Sequence, residues 1–119
     1  MSKIIVVIGD RLGKGQNVAK GVEAAGGTAI VISGMAADMK LGDTMNAEKA
    51  DMGISFCGSG GAGAITAQSK YGYPAHYGMR SVEEGLTALR DGKTVLGFGF
   101  NDSEELGRRL TEEFIKLRG

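Results

Sequence analysis

Lys3-Ile4-Ile5-Val6-Val7-Ile8-Gly9-Asp10-Arg11-Leu12-Gly13-Lys14-Gly15-Gln16 is the stretch that decides the fold. Its first half is an unbroken, mostly β-branched run. A run without alternation reads as a strand buried on both faces, the habit of parallel sheets. The second half, from Gly9 to Gln16, is a loop with three glycines. Val18, Val22 and Ala25 then recur at helical spacing until Gly26-Gly27 stops the helix. Thr28 to Ser33 is the next apolar run. Strand, loop, helix and strand in that order form a βαβ unit, and a parallel sheet follows from it.

The same alternation continues along the chain. Residues 35–50 read as irregular chain and then a short helix near Thr44 to Ala50, with Met35, Met39 and Met45 as fillers of core gaps. Met52 to Phe56 is the third strand, and a helix from about Ala62 to Lys70 follows a glycine loop. Tyr71 to Gly78 is extended, and Pro74 demotes it to a weak or edge strand. Ser81-Val82-Glu83-Glu84 is a capping box that opens a helix to Arg90, closed by Asp91-Gly92. Thr94 to Phe98 is the last strand. Asp102, with Glu105, caps a final helix whose apolar stripe is Leu106, Leu110, Phe114 and Leu117, with Arg108, Arg109, Lys116 and Arg118 on a solvated face.

Alternating elements of this kind make a single three-layer α/β domain over residues 1–119, with a mostly parallel five-stranded sheet of flavodoxin-like or Rossmann-like type. The expected strand order is 2-1-3-4-5, which sets the switch point between the first and third strands. The Gly9–Gln16 and Cys57–Gly63 loops then lie side by side, at the strand ends where open α/β sheets bind ligands.

Composition narrows the function. The chain has 119 residues, one domain by length. Fourteen Lys plus Arg against fourteen Asp plus Glu give a net charge of zero, which argues against a nucleic-acid partner. Glycine is in excess at 21 residues, with one proline and no Gly-X-Y period, so collagen and disorder are excluded. An ordered chain this rich in glycine implies positive-φ turns or close approach of backbone to a ligand. One cysteine and one histidine leave no disulfide framework and no structural zinc set; no metal or cofactor is expected. The apolar run from Ile4 to Ile8 is shorter than the about 7–15 residues of a signal peptide core or the about 20 of a membrane helix. The expectation is a soluble, cytoplasmic protein.

The densest motif is Ser55-Phe56-Cys57-Gly58-Ser59-Gly60-Gly61-Ala62-Gly63. A strand runs into a glycine loop and then a helix. Backbone N–H groups of Gly58, Ser59, Gly60, Gly61 and Gly63 would make an anion cradle at the helix start, where the dipole adds about half a positive charge. That field favours a Cys57 thiolate, which can act as a base for carbon acids or as a nucleophile. The alternative is that Cys57 is a small buried residue. Gly58-x-Gly60-x-x-Gly63 matches the dinucleotide fingerprint, but the acid required about 20 residues on is missing. The Gly9–Gln16 loop lacks the spacing of a nucleotide P-loop. Arg11 and Lys14 either reach a phosphate across the switch point or are solvated. Asp10 either orients a sugar hydroxyl or caps the helix. His76 is a surface residue, or it approaches the crevice if the fourth strand lies beside the third.

Ser55-Phe56-Cys57-Gly58-Ser59 in a small glycine-rich chain resembles the glycine-rich SFCGS family over the whole length. Gly53-Ile54-Ser55-Phe56-Cys57-Gly58-Ser59-Gly60 is similar to the strand and catalytic loop of type B ribose-5-phosphate isomerases and galactose-6-phosphate isomerase subunits. Val95-Leu96-Gly97-Phe98-Gly99 and the helix from Glu104 are similar to that family's last strand and helix. The resemblance implies Cys57 as the proton-moving base and the backbone of Gly58, Ser59, Gly60 and Gly61 as the hole for an enediolate. Two departures stand against it. The family's Asp-His-Ala-Gly turn is here Asp10-Arg11-Leu12-Gly13, and its ring-opening histidine has no counterpart among Ser81 to Arg90.

The Cys-Gly-Ser-Gly string also resembles the phosphocysteine loop of B subunits in sugar phosphotransferase systems, where the cysteine follows the first strand rather than the third. The reading is therefore a homo-oligomeric protein that binds a phosphorylated sugar or sugar acid, with isomerisation by Cys57. The alternatives are a phosphocysteine carrier serving a membrane transporter, or a non-catalytic partner protein.

Overall fold

The computed structural model describes residues 4–10, 15–32, 40–56, 62–99 and 103–118. Strand and helix alternate throughout: β1 (Ile5–Asp10), α1 (Gly15–Ala24), β2 (Thr28–Ile32), α2 (Leu41–Glu48), β3 (Met52–Phe56), α3 (Ala62–Tyr71), β4 (Ala75–Met79), α4 (Val82–Arg90), β5 (Val95–Phe98) and α5 (Glu104–Arg118). The five strands form one sheet in the order β2-β1-β3-β5-β4, every pairing parallel. This is the expected three-layer α/β class.

The order corrects the expected 2-1-3-4-5 at one place: β5, not β4, lies beside β3. The cause is burial. Val95–Phe98 is buried at every position, whereas the middle three residues of Ala75–Met79 are exposed. A parallel strand that is apolar throughout belongs inside the sheet, and one that is polar in its middle, behind Pro74, belongs at the edge. Helix α3 accordingly touches β3, β5 and β4 as it carries the chain past the place β5 will fill.

Alternation along the central strands sends side chains to two separate cores. Val6, Ile8, Ile54, Phe56, Leu96 and Phe98 face α1, α4 and α5. Val7 and Val95 face α2 and α3, where Leu41, Met45, Ala64 and Ala67 cover them. On the first face α1 and α5 meet at backbone distance. A Cβ on Gly21 would fall on the Glu104 carbonyl oxygen, and one on Gly107 on the Val18 carbonyl oxygen. On the second face Met45 puts its sulfur where a side chain at position 53 would go.

Helix ends follow their sequence signals. Gly26 takes φ +94° after α1, and the N–H groups of Gly26 and Gly27 donate to the carbonyls of Glu23 and Val22. Ser81 caps α4 by accepting from the Glu84 N–H at 3.2 Å, while the Glu84 carboxylate accepts from the Arg80 N–H at 2.7 Å. That backbone hydrogen bond holds the Glu84 carboxyl below its usual range. For α5 the cap is Ser103, whose hydroxyl accepts from the Leu106 N–H at 3.2 Å; Asp102 lies outside the described residues. Helices α2 and α3 are clamped at the surface: the Asp43 carboxylate accepts from Lys70 Nζ at 2.7 Å and from the Tyr71 hydroxyl at 2.6 Å. The Lys70 hydrogen bond lowers the Asp43 pKa, and the Asp43 hydrogen bond raises those of Lys70 and Tyr71.

Candidate functional site

β1 and β3 are direct neighbours, and β2 lies on the far side of β1. The chain therefore leaves β1 toward one side and β3 toward the other, which is the switch-point geometry. Asp10 ends β1 and is paired with Phe56, the last residue of β3. Cys57 follows directly in sequence, and α3 begins at Ala62. The segments that leave adjacent strand ends are thus the two glycine loops singled out from the sequence.

Of the expected site residues, Asp10, Gly63 and His76 are described; Arg11, Lys14, Cys57, Gly58, Ser59, Gly60 and Gly61 lie outside the described residues. Asp10 is 2% exposed. It sits against the first residue of α1, where a Cβ on Gly15 would lie 3.6 Å from the Asp10 Cβ. A carboxylate beside a helix N-terminus is favoured by the helix dipole, so a buried acid is accommodated at this strand end. Gly63 is the second residue of α3, at the other side of the switch point.

His76 is elsewhere. It is the second residue of an edge strand separated from β3 by β5, and it lines a groove of about 300 Å³ with Glu84 and Thr87 of α4. The condition that would have brought it to the crevice is not met. A second groove of about 370 Å³ shares Lys93 with the first and is lined also by Asp51 and Arg118. There Asp51 accepts from the Ile5 N–H at 2.8 Å and from Arg118 at 2.9 Å. These groups tie the start of β1 to the end of α5 and have a structural task.

Sequence reasoning passed over one residue. Ser55 pairs with Gly9 on one side and Gly97 on the other. It shares its side of β3 with Gly53, the α2–α3 side. The last row of side chains on that face is therefore glycine, serine, glycine, and the Ser55 hydroxyl is its one polar atom. It is fully buried and has no hydrogen-bond partner among the described residues. One residue further, on the opposite face, the row is Asp10, Phe56 and Phe98, with the two rings stacked at 5.7 Å between centroids. A lone polar side chain in the strand Met52–Phe56 was the available signal.

Among solved structures the chain is similar to three type B ribose-5-phosphate isomerases. The Trypanosoma brucei enzyme matches with a TM-score of 0.73 at 19% identity, over 97% of this chain and 87% of that one. The Mycoplasma genitalium enzyme, solved with bound ribulose-5-phosphate, matches with a TM-score of 0.68 at 17% identity, over 98% and 85%. The Clostridium thermocellum enzyme matches with 0.67 at 18%, over 95% and 84%. At such identities the likeness establishes a shared fold. No curated protein matches the sequence. The family model for glycine-rich SFCGS proteins does match it, from residue 4 to residue 117, and the chain belongs to that family.

Proposed function

We propose that the protein binds a phosphorylated sugar or sugar acid where the Gly9–Gln16 and Cys57–Gly63 loops leave the sheet, and that Cys57 is a base for its isomerisation. The observation that carries this reading is the adjacency of β1 and β3, whose last residues, the buried Asp10 and Phe56, are paired. The fold shared with ribose-5-phosphate isomerases supports it. In the proposed reaction the Cys57 thiolate takes the proton from the carbon next to the sugar carbonyl. The electron pair moves onto the carbonyl oxygen, giving an enediolate held by the N–H groups of Gly58, Ser59, Gly60 and Gly61. The thiol returns the proton to the former carbonyl carbon, and the remaining proton passes between the two oxygens. Arg11 or Lys14 would meet the phosphate.

The test is titration of the intact protein with ribose 5-phosphate and 6-phosphogluconate, followed by amide shifts at Asp10 and Gly63. Solvent deuterium incorporation at the sugar carbon is followed in parallel. Saturable shifts at both residues, with deuterium incorporation lost in Cys57→Ala and binding retained, support the reading. Absence of any shift at millimolar ligand overturns it. A phosphoryl adduct on Cys57 after incubation with phosphotransferase components would assign the loop to carrier chemistry instead.

A further inference from the structure

The two edges of the sheet differ in a way their positions do not require. β4 carries the marks of a guarded edge: Pro74 in front, exposed His76 and Tyr77, Gly78 at φ +79°, and a break in its register with β5 between His76 and Met79. These features discourage another strand from adding on. β2, Thr28-Ala29-Ile30-Val31-Ile32, has none of them. It holds no charge, no proline and no bulge, and its register with β1 is regular over all five residues. It has the composition of an interior strand, yet four of its residues are only partly buried and Thr28 is exposed.

The direction of its outward backbone groups is fixed by the pairing with β1. The Thr28 N–H donates to the Ile4 carbonyl at 2.8 Å. In a parallel pair alternate residues point to the same neighbour, so Thr28, Ile30 and Ile32 face β1, while Ala29 and Val31 turn their N–H and C=O groups outward.

We infer that the β2 edge pairs with the β2 edge of a second copy of this chain, antiparallel about a twofold axis through Ile30, giving a continuous ten-stranded sheet. The sequence is self-complementary in that register. Ala29 meets the partner's Val31 as a hydrogen-bonded pair, Ile30 meets its own copy, and Thr28 meets the partner's Ile32. Ala29 with Val31, and Ile30 with its copy, oppose apolar side chains on the two faces, and each Ala29–Val31 pair exchanges two backbone hydrogen bonds. Charge does not oppose it: β2 is neutral and the whole chain carries no net charge. An isologous contact of this kind closes on itself, which an unguarded edge needs if it is not to aggregate. The inference is independent of the sugar-phosphate reading.

The test joins amide hydrogen exchange with mass by light scattering on the intact protein. Pairing protects the Ala29 and Val31 amides as strongly as those of Ile30 and Ile32, and Ala29→Pro, which deletes an outward donor and no intramolecular bond, halves the mass of the assembly. An assembly whose Ala29 and Val31 amides exchange freely beside protected Ile30 and Ile32 overturns it. So does a monomer at every concentration, or a folded Ala29→Pro with unchanged mass. If Ala29→Pro does not fold, the exchange pattern of the unsubstituted protein decides alone. Protection of Ala29 and Val31 that appears only on adding an extended peptide would show a different occupant and also overturns it.

Discussion

On the face covered by α1, α4 and α5, helix packs on helix through bare backbone, and aromatic and branched side chains fill what remains. On the face covered by α2 and α3, the covering residues are Leu41, Met45, Ala64 and Ala67 over Val7 and Val95, and the last row of the sheet is Gly9, Ser55 and Gly97. The first face has no room for a side chain at Gly21, Gly85 or Gly107. The second joins Leu41 and one flexible methionine to two alanines and is clamped at its rim by the Asp43–Lys70–Tyr71 contact. Glycine therefore has several meanings in this chain. Gly21, Gly107 and Gly85 permit close packing, and Gly26 and Gly92 permit helix ends. Among the described residues, these glycines are thus explained by the fold.

The largest effects should come from the first face. Ala is favoured over Gly inside a helix by about 1 kcal/mol. In Gly107→Ala that gain is overwhelmed, because the new methyl meets the Val18 backbone carbonyl, which cannot move without separating α1 from α5. A loss of about 3 kcal/mol or more is expected, or failure to fold. Gly42→Ala is the counterpart on the second face. Its Cβ would lie 2.9 Å from the Ala67 Cα and 3.2 Å from a Tyr71 ring carbon, so α2 and α3 must part by only a few tenths of an ångström, whereas a Cβ on Gly107 would fall on the Val18 carbonyl oxygen. Clash and propensity there nearly offset, for a net cost of about 1 kcal/mol. Urea unfolding of the two variants compares them directly. Equal costs would break the distinction between the faces.

Met45 sharpens the same contrast. It is fully enclosed and its sulfur occupies the space beside Gly53. Met45→Ala should cost about 2–5 kcal/mol, the range for emptying a buried site. Gly53→Ala alone forces the thioether aside at a cost of about 1–3 kcal/mol. Combined with Met45→Ala, it should cost less than it does alone, since the methyl enters the vacated space. Additive costs in the double-mutant cycle would mean that the sulfur and position 53 do not compete.

Ser55→Ala is expected to be close to neutral or stabilising, within about 1 kcal/mol, because it removes a buried hydroxyl that has no partner among the described residues. Thr111→Val, on the other face, is the control: its hydroxyl is likewise buried and unpartnered. If both variants keep their stability and only Ser55→Ala loses affinity for ribose 5-phosphate in calorimetry, the hydroxyl gains its partner from the ligand. Equal affinity in both variants would reduce Ser55 to packing.

How much of this was legible beforehand depended on whether a signal is local. Strand β3 was readable to the residue, and the ends of α1 and α4 followed from Gly26-Gly27, Ser81-Glu84 and Asp91-Gly92, because caps and turns are decided by a few neighbouring residues. The short second helix was expected near Thr44 to Ala50 and lies at Leu41–Glu48; its polar, weakly periodic sequence gave little to fix its start. Strand order was misread although both clues were present. Pro74 marks an edge, and the unbroken apolar run Val95–Phe98 marks an interior strand; these signals outweigh chain order. The placement of His76 fell with that error. Adjacency of β1 and β3 is readable because doubly wound sheets usually return their third strand to the free side of the first. The close approach of α1 to α5 was not, since no local pattern in Gly21 or Gly107 names the partner 80 or more residues away in the chain.

The smallest expected effect lies at the rim of the second face, and it is visible as pH dependence. Asp43 has its pKa lowered, first by the Lys70 hydrogen bond and then by that of Tyr71. A carboxylate with a lowered folded pKa contributes stability that is complete above its unfolded value, about 4 for an aspartate, and that disappears as pH falls through the folded value. Lys70 and Tyr71 have raised pKa values, caused first by the hydrogen bond to Asp43. Their contribution is complete below their unfolded values, about 10, and disappears as pH rises through the folded ones. The clamp therefore holds between these limits and weakens on both sides. All three groups are exposed, so the amplitude is small and screened by salt. Asp43→Asn should flatten both limbs of the stability profile measured by thermal unfolding from acid to alkaline pH, with little change at neutrality. Glu84→Gln, which breaks the α4 capping box on the other face, should flatten the acid limb alone, since Glu84 has a lowered pKa and no raised partner in that contact. If Asp43→Asn leaves the alkaline limb intact, Tyr71 and Lys70 owe their raised values to something other than the clamp, and the second face is held by packing alone.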